Sequence, residues 1–283
     1  MSMKIKFYDV EHGSCTHIIT PNNQHFLVDF GSKTSKSMAH HIKEKYLPYA
    51  NQQIDFLIIT HPHEDHIYDL PAINYLAIAP RVLQRPREAY DIKPIMNTDL
   101  HKNIADIANN MHRNYNHEID ADKIPWLSSY NGGIEFDFIF PKGEWTNKDD
   151  LNTFSSIIIA KYKNQKFVLT GDNPKTVLQK MMDENYENIK DKVNNATMLL
   201  APHHGRDGEF CKDFFDCVNP YLTVISDKNI EHGTQEKSAS LYKGRGCKLY
   251  DVDRYVLTTR NEGTITFEVN DNSCIVSWDA KEY

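Results

Sequence analysis

The densest chemistry in the chain lies in His61-Pro62-His63-Glu64-Asp65-His66, directly after the apolar run Phe56-Leu57-Ile58-Ile59-Thr60. Imidazole and carboxylate are donors for divalent ions of intermediate softness, zinc first and manganese or iron after it. The spacing says more than the composition. His61 and His63 can turn the same way from a strand end, and Asp65 and His66 can turn toward a neighbouring point. One short loop can then serve two cations, which at about 3.5–4 Å apart form a hydrolytic pair.

Three more apolar runs end in residues of the same types. Phe26-Leu27-Val28 leads to Asp29, a carboxylate suited to stand behind a ligand histidine and hold its tautomer. Phe167-Val168-Leu169-Thr170-Gly171 leads to Asp172, which can project into a cleft and bridge two cations. Met198-Leu199-Leu200-Ala201-Pro202 leads to the pair His203-His204. Neighbouring residues do not easily point the same way, so His203 is expected as a ligand and His204 to face substrate or a partner group. His232, after the run ending at Ser226, is a candidate general acid or phosphate contact.

Short runs bounded by glycine, proline and asparagine predict the elements that carry these residues. Strands are expected over 4–10, 15–20, 25–30, 53–60, 134–140, 155–162, 166–170, 197–201 and 222–226, and in the tail over 248–251, 255–259, 263–269 and 273–278. Helical spacing predicts helices over 37–46, 69–77, 99–116, 174–184 and 209–218. Residues 88–132 are the least regular and read as an insertion or lid within one domain covering 1–283. Strands at both ends with helices between them predict two sheets sandwiched by helices.

The bulk properties narrow the function classes. The chain has 283 residues, 40% hydrophobic and 25% charged, the balance of a globular domain. It lacks an apolar run near 18 residues, so no membrane association is expected. The opening Met1-Ser2-Met3-Lys4-Ile5 goes straight into a strand-like pattern, and five cysteines without a C-x-x-C pair fit neither a disulfide framework nor a cysteine zinc site. A reducing, cytoplasmic setting is the expectation. A net charge of −7 argues against general binding of duplex nucleic acid. The local positives at Arg81, Arg85 and Arg87 and at Lys243, Arg245 and Lys248 suit a nucleotide or a single strand better.

In chain order, His61-x-His63-x-Asp65-His66, then Asp172, then His203-His204 resembles the metal-ligand order of the metallo-β-lactamase superfamily. More narrowly, the chain resembles the ComEC-type competence nuclease domain and its soluble relatives. The matching segments include Asp9-Val10-Glu11-His12-Gly13-Ser14-Cys15, Leu27–Gly31, Asn152-x-x-Ser155, Leu169–Asp172, Pro202-His203-His204-Gly205 and the segment from Ile225 to Gly233. The resemblance implies an αββα sandwich with two divalent metal ions, zinc or alternatively manganese, in a cleft at one edge of the sheets. It implies His61 and His63 on one ion, Asp65 and His66 on the other, Asp172 between them, and His203 or His204 completing the second. Arg206, where the family usually has serine, is expected to contact a substrate phosphate, with Asn152 in the neighbourhood. The separate histidine that many members carry between loop and aspartate stays unassigned among His101, His112 and His117. The expected activity is metal-assisted hydrolysis of a phosphodiester, with Asp65 or Asp172 orienting the water. Hydrolysis of a lactone or thioester is the alternative within enzymes, and a non-catalytic metal- or partner-binding protein is the alternative outside them.

Overall fold

The computed structural model describes residues 1–32, 37–90, 99–228 and 237–280. Its strands are β1 (Met3–Phe7), β2 (Thr16–Ile19), β3 (His25–Val28), β4 (Phe56–Ile58), β5 (Val82–Gln84), β6 (Glu135–Ile139), β7 (Ile157–Tyr162), β8 (Gln165–Leu169), β9 (Met198–Leu200), β10 (Leu222–Ile225), β11 (Cys247–Leu249), β12 (Val252–Arg254), β13 (Val256–Thr258), β14 (Thr264–Val269) and β15 (Cys274–Asp279). They form a seven-stranded sheet in the order β15-β14-β1-β2-β3-β4-β5 and a six-stranded sheet in the order β13-β10-β9-β8-β7-β6. Helices flank both, so the architecture is the expected αββα sandwich.

The sequence pattern explains the layers. Alternate strand residues face opposite ways. Phe26, Val28, Phe56 and Ile58 point inward, as do Phe167, Leu169, Met198 and Leu200, and these meet in the core between the sheets. The intervening Leu27, Leu57 and Ile59 face the helices that supply Met38, Ile42, Ile67 and Ile73. Val168 and Leu199 face Val177, Leu178, Met181 and Phe214 on the other side. Both faces are covered, which is why these central strands read as unbroken apolar runs.

Each sheet is mixed. β3, β4 and β5 run parallel, and so do β8, β9, β10 and β13. The carboxyl ends of a parallel set share one edge, which in open α/β sheets is where ligands bind. Asp29, the histidine loop, Asp172, the His203-His204 pair and Ser226-Asp227 each follow one of these strands.

Several elements differ from expectation. The strand expected over 53–60 is shorter, Phe56–Ile58, with Asp55 N–H and Ile59 N–H still donating to the His25 and Gln84 carbonyls at its two ends. Val82–Gln84 is a strand that three residues are too few to announce. In the tail, Cys247–Leu249 pairs only with Val252–Arg254, outside the two main sheets, and Thr259–Glu262 turns helical after β13. Within the segment read as an insertion, helix Asp99–Asn114 buries Ile104, Ala108 and Met111 against the helical layer beside the histidine loop. Among the described residues, no helix is long and apolar enough to cross a membrane.

Candidate metal centre

Close backbone packing fixes the histidine loop before any side chain acts. Ser14 N–H donates to the Asp65 carbonyl (3.0 Å), and Phe30 N–H donates to the His66 carbonyl (2.7 Å). A Cβ on Gly31 would stand 1.6 Å from that Asp65 carbonyl oxygen, so only glycine lets the two loops touch. The loop after β8 is seated similarly: Gly171 has φ +53°, and a Cβ there would meet Thr60 at 2.9 Å.

Hydrogen bonds then set the tautomer of three histidines. Asp29, itself in the left-handed region at φ +59°, accepts Thr60 N–H (2.7 Å), the Thr60 hydroxyl (2.8 Å) and His66 Nδ1–H (2.7 Å). The single Thr60 hydroxyl proton is used on Asp29, so Thr60 Oγ1 accepts from His61 Nδ1 (3.1 Å). His204 Nδ1–H donates to the Ser226 carbonyl (2.7 Å). All three rings therefore present Nε2 to one group. Asp172 carboxylate oxygens lie 3.1 Å from His66 Nε2, 3.6 Å from His204 Nε2 and 4.0 Å from His61 Nε2.

The distances fit coordination better than direct bonding. His66 Nε2 is buried and, although close to Asp172, is not aligned for a hydrogen bond with it. Donors sharing a cation with bonds of about 2.0–2.2 Å sit roughly 3–3.5 Å apart. One ligand atom from each of Asp65, His66, Asp172 and His204 lies within 4.8 Å of the others, a set able to hold a metal ion. His61 Nε2 and His63 Nδ1, 3.1 Å apart, present a second pair of donors beside it.

Electrostatics agree with this arrangement. Burial pushes the Asp65 carboxyl up, but His204, whose Nε2 lies 3.3 Å from Asp65 Oδ2, and the His66 charge outweigh it and hold the group far below the carboxylate range. Asp172 is likewise held well down, its burial overcome by His66 and His204. Burial alone would lower His66 and His204; the Asp172 charge raises both, with Asp29 adding to the rise at His66 and Asp65 at His204. His61 is pushed well down by burial and by the charge of His66. The carboxylates are thus held toward the ionised form, His66 and His204 toward the protonated form, and His61 toward the neutral form.

The remaining expected residues fall as follows. His203 was expected nearer the ions than His204, but His204 joins the close set, while His203 Nε2 is 3.8 Å from Asp172 Oδ2. Consecutive left-handed residues (φ +50° and +53°) let both neighbours reach the same carboxylate, which extended backbone would not. Arg206 stands beside the pair, lowers His203 by its charge, and has no ion-pair partner among the described residues. Asn152 lies on the turn Leu151–Phe154, its Oδ1 buried without a hydrogen-bond partner among the described residues. His232 lies outside the described residues. His112 accepts a hydrogen bond from Arg85 Nε (3.2 Å), and His117 lines a separate cavity with Arg81.

Sequence reasoning missed four participants. His12 Nε2 reaches Asp65 Oδ2 at 3.4 Å, and its ring lies 5.1 Å from that of His204. Its segment Asp9–Cys15 was recognisable as a motif, and a histidine inside it was the available signal. Thr60, Ser155 (whose hydroxyl accepts Asp172 N–H at 3.2 Å) and the Ser226 carbonyl also act on ligands through hydrogen bonds; Ser155 and Ser226 stood inside matched segments without an assigned role, and Thr60 had no signal beyond ending an apolar run.

A search of curated proteins finds no match. Among solved structures, the chain is similar to the metallo-beta-lactamase fold protein YhfI from Bacillus subtilis, at 11% identity and TM-score 0.50, covering 94% of this chain and 100% of that one. It is also similar to unliganded yeast PDE1 (13% identity, TM-score 0.46, 91% and 98% covered) and to a diphosphatase from the PhnP family (10%, TM-score 0.46, 97% and 100% covered). The sequence profile described as Metallo-beta-lactamase superfamily matches residues 8–208, more than half of the chain. With the sandwich, the ligand order and the convergent histidines in place, the chain belongs to the metallo-β-lactamase superfamily.

Proposed function

We propose that the protein is a dinuclear metal-dependent phosphodiesterase or nuclease. The observation that carries the reading is the convergence of three tautomer-locked Nε2 atoms on the Asp172 carboxylate. His61 and His63 would hold one cation, Asp65, His66 and His204 the other, with Asp172 between both. Bound there, a pair of zinc or manganese ions supplies a nucleophilic water at neutral pH and positive charge for the attacked phosphoryl oxygens.

The chain's own groups do the rest. Asp65 and Asp172, ionised throughout the neutral range, orient the water by accepting its protons' hydrogen bonds. Asp29 and Thr60 keep His61 and His66 from rotating. Arg206, without an ion-pair partner among the described residues, offers a guanidinium to phosphate oxygens. That cation favours a phosphodiester over an uncharged lactone or thioester. The ComEC-type order of motifs supports the same substrate class, and the acidic whole favours a nucleotide or single strand. His203 and His232 are assigned to the substrate side, His232 as a proton donor or phosphate contact.

Elemental analysis of the purified protein should find close to two equivalents of zinc or manganese. Bis(p-nitrophenyl) phosphate and single-stranded DNA should be cleaved with one of these metals. Asp172→Asn should remove turnover while circular dichroism stays unchanged. Metal-loaded protein that cleaves neither phosphodiester but opens a lactone would replace this reading with the acyl one.

A further inference from the structure

β5 is an edge strand of the first sheet, next to the β4 strand that leads into His61, and β6 is an edge strand of the second. At the carboxyl ends of these strands lies a cavity of about 220 Å³. Pro86, Phe140, Pro141 and Phe154 give it apolar walls, and Gln84, Arg85, Arg87, Glu88 and Thr146 add polar groups. The walls are bonded to the backbone that places the metal ligands. The Gln84 carbonyl accepts Ile59 N–H (2.8 Å), two residues before His61. Phe154 immediately precedes Ser155, which holds Asp172 N–H, and Ser156 N–H donates to the Thr60 carbonyl (3.2 Å).

Phe140 is the exposed end of an aromatic ladder. Phe136 and Phe138 stack with centroids 6.1 Å apart at 15°, and Phe138 and Phe140 stack at 6.3 Å and 7°. The inner rings are fixed by the core, where Phe26 and Phe56 pack on them. Phe140 is 36% exposed, and among the described residues no further ring stacks on it beyond Phe138. A flat ring entering the cavity would extend the stack.

We infer that this cavity is the subsite for a nucleobase flanking the scissile phosphate. The inference rests on the phosphodiester reading and deepens it. The volume is below that of a drug-sized pocket and suits a single planar ring system. The mixture of ring faces with an amide and a guanidinium matches a heterocycle that is apolar on its faces and polar at its edges. Gln84 Nε2–H donates to the Arg85 carbonyl (3.2 Å), which fixes the amide at the cavity wall.

The test is calorimetric binding of the four nucleoside 5′-monophosphates and of ribose 5-phosphate to the metal-loaded protein. Ribose 5-phosphate reports the phosphate contact alone. At least one nucleotide should bind roughly 10-fold tighter, as expected for one stacked base. Phe140→Ala, at an exposed position, should remove most of that difference and leave ribose 5-phosphate affinity unchanged. Equal affinity of all five ligands for the native protein would overturn the subsite, as would a nucleotide preference that survives both Phe140→Ala and Phe154→Ala. If ribose 5-phosphate and the nucleotides all fail to bind, the phosphodiester reading itself falls and takes the subsite with it.

Discussion

In the metal-free centre Asp172, with Asp29 at His66 and Asp65 at His204, outweighs burial and holds both histidines toward the protonated form. A cation can bind their Nε2 atoms only after both protons leave, so metal affinity must fall as the pH falls. His61 and His203 are pushed down and release nothing in the same range. Below pH 6.5, the ordinary histidine value, the zinc affinity of the native chain should therefore drop by nearly two decades per pH unit, roughly one decade for each proton displaced. Chelator competition at several pH values measures the slope, and calorimetry in buffers of different ionisation enthalpy counts the protons. A slope below one decade would mean that these two nitrogens are not where the metal binds. The sequence contained both histidines but not this behaviour. The shift comes first from Asp172 and, at His66, next from Asp29, which is more than thirty residues from His66 in the chain and meets it only because β3 and β4 are parallel neighbours.

The strands that deliver ligands were the most legible elements. Phe26–Val28, Phe167–Leu169 and Met198–Leu200 are buried on both faces, so an unbroken apolar run announces each one, and the polar residue after it marks the site edge. Val82–Gln84 escaped because Arg81 and Arg85 break its run on either side, and Arg85 is buried by hydrogen bonds to His112 and Tyr115 that sequence does not show. The strand expectations for β2 and β3 were right in type and silent on the polar network they hide. His17 Nε2 and His25 Nδ1 lie 3.0 Å apart across these strands, and Tyr8 reaches His17 at 3.2 Å. Burial pushes His25 down to about 4 and holds His17 well below the ordinary histidine value. Both take up protons more readily unfolded than folded, so stability is intact above pH 6.5 and is lost as the pH falls toward 4. His25 alone accounts for about 3 kcal/mol of that loss. Urea unfolding of the metal-free chain between pH 7 and 4.5 should show this decline, and His25→Gln should flatten it. An unchanged pH profile in His25→Gln would place the acid sensitivity elsewhere.

At the scale of the whole molecule, the centre joins the two sheets. His61, His63, Asp65 and His66 follow β4 in the seven-stranded sheet, while Asp172 and His204 follow β8 and β9 in the six-stranded one. Between their faces the sheets meet through apolar packing such as Phe167 on Phe267, which is strong but carries no direction, and at the site edge through a few hydrogen bonds such as Ser226 Oγ–H to the Gly13 carbonyl (2.9 Å). A cation drawing donors from both sheets exists only when the sandwich is closed, so it binds the folded chain and not the unfolded one. Mass action then stabilises the fold by about 4 kcal/mol at a free metal concentration 1,000 times the dissociation constant. For a domain of this size that corresponds to a rise in melting temperature on the order of 10 °C. His204→Ala removes a donor of the six-stranded sheet, and His66→Ala removes one of the seven-stranded sheet. If the cation bridges the sheets, either variant alone should abolish most of the zinc-induced rise. If the histidine loop bound metal by itself, His204→Ala would keep the rise in full, and differential scanning calorimetry with and without zinc separates the two outcomes.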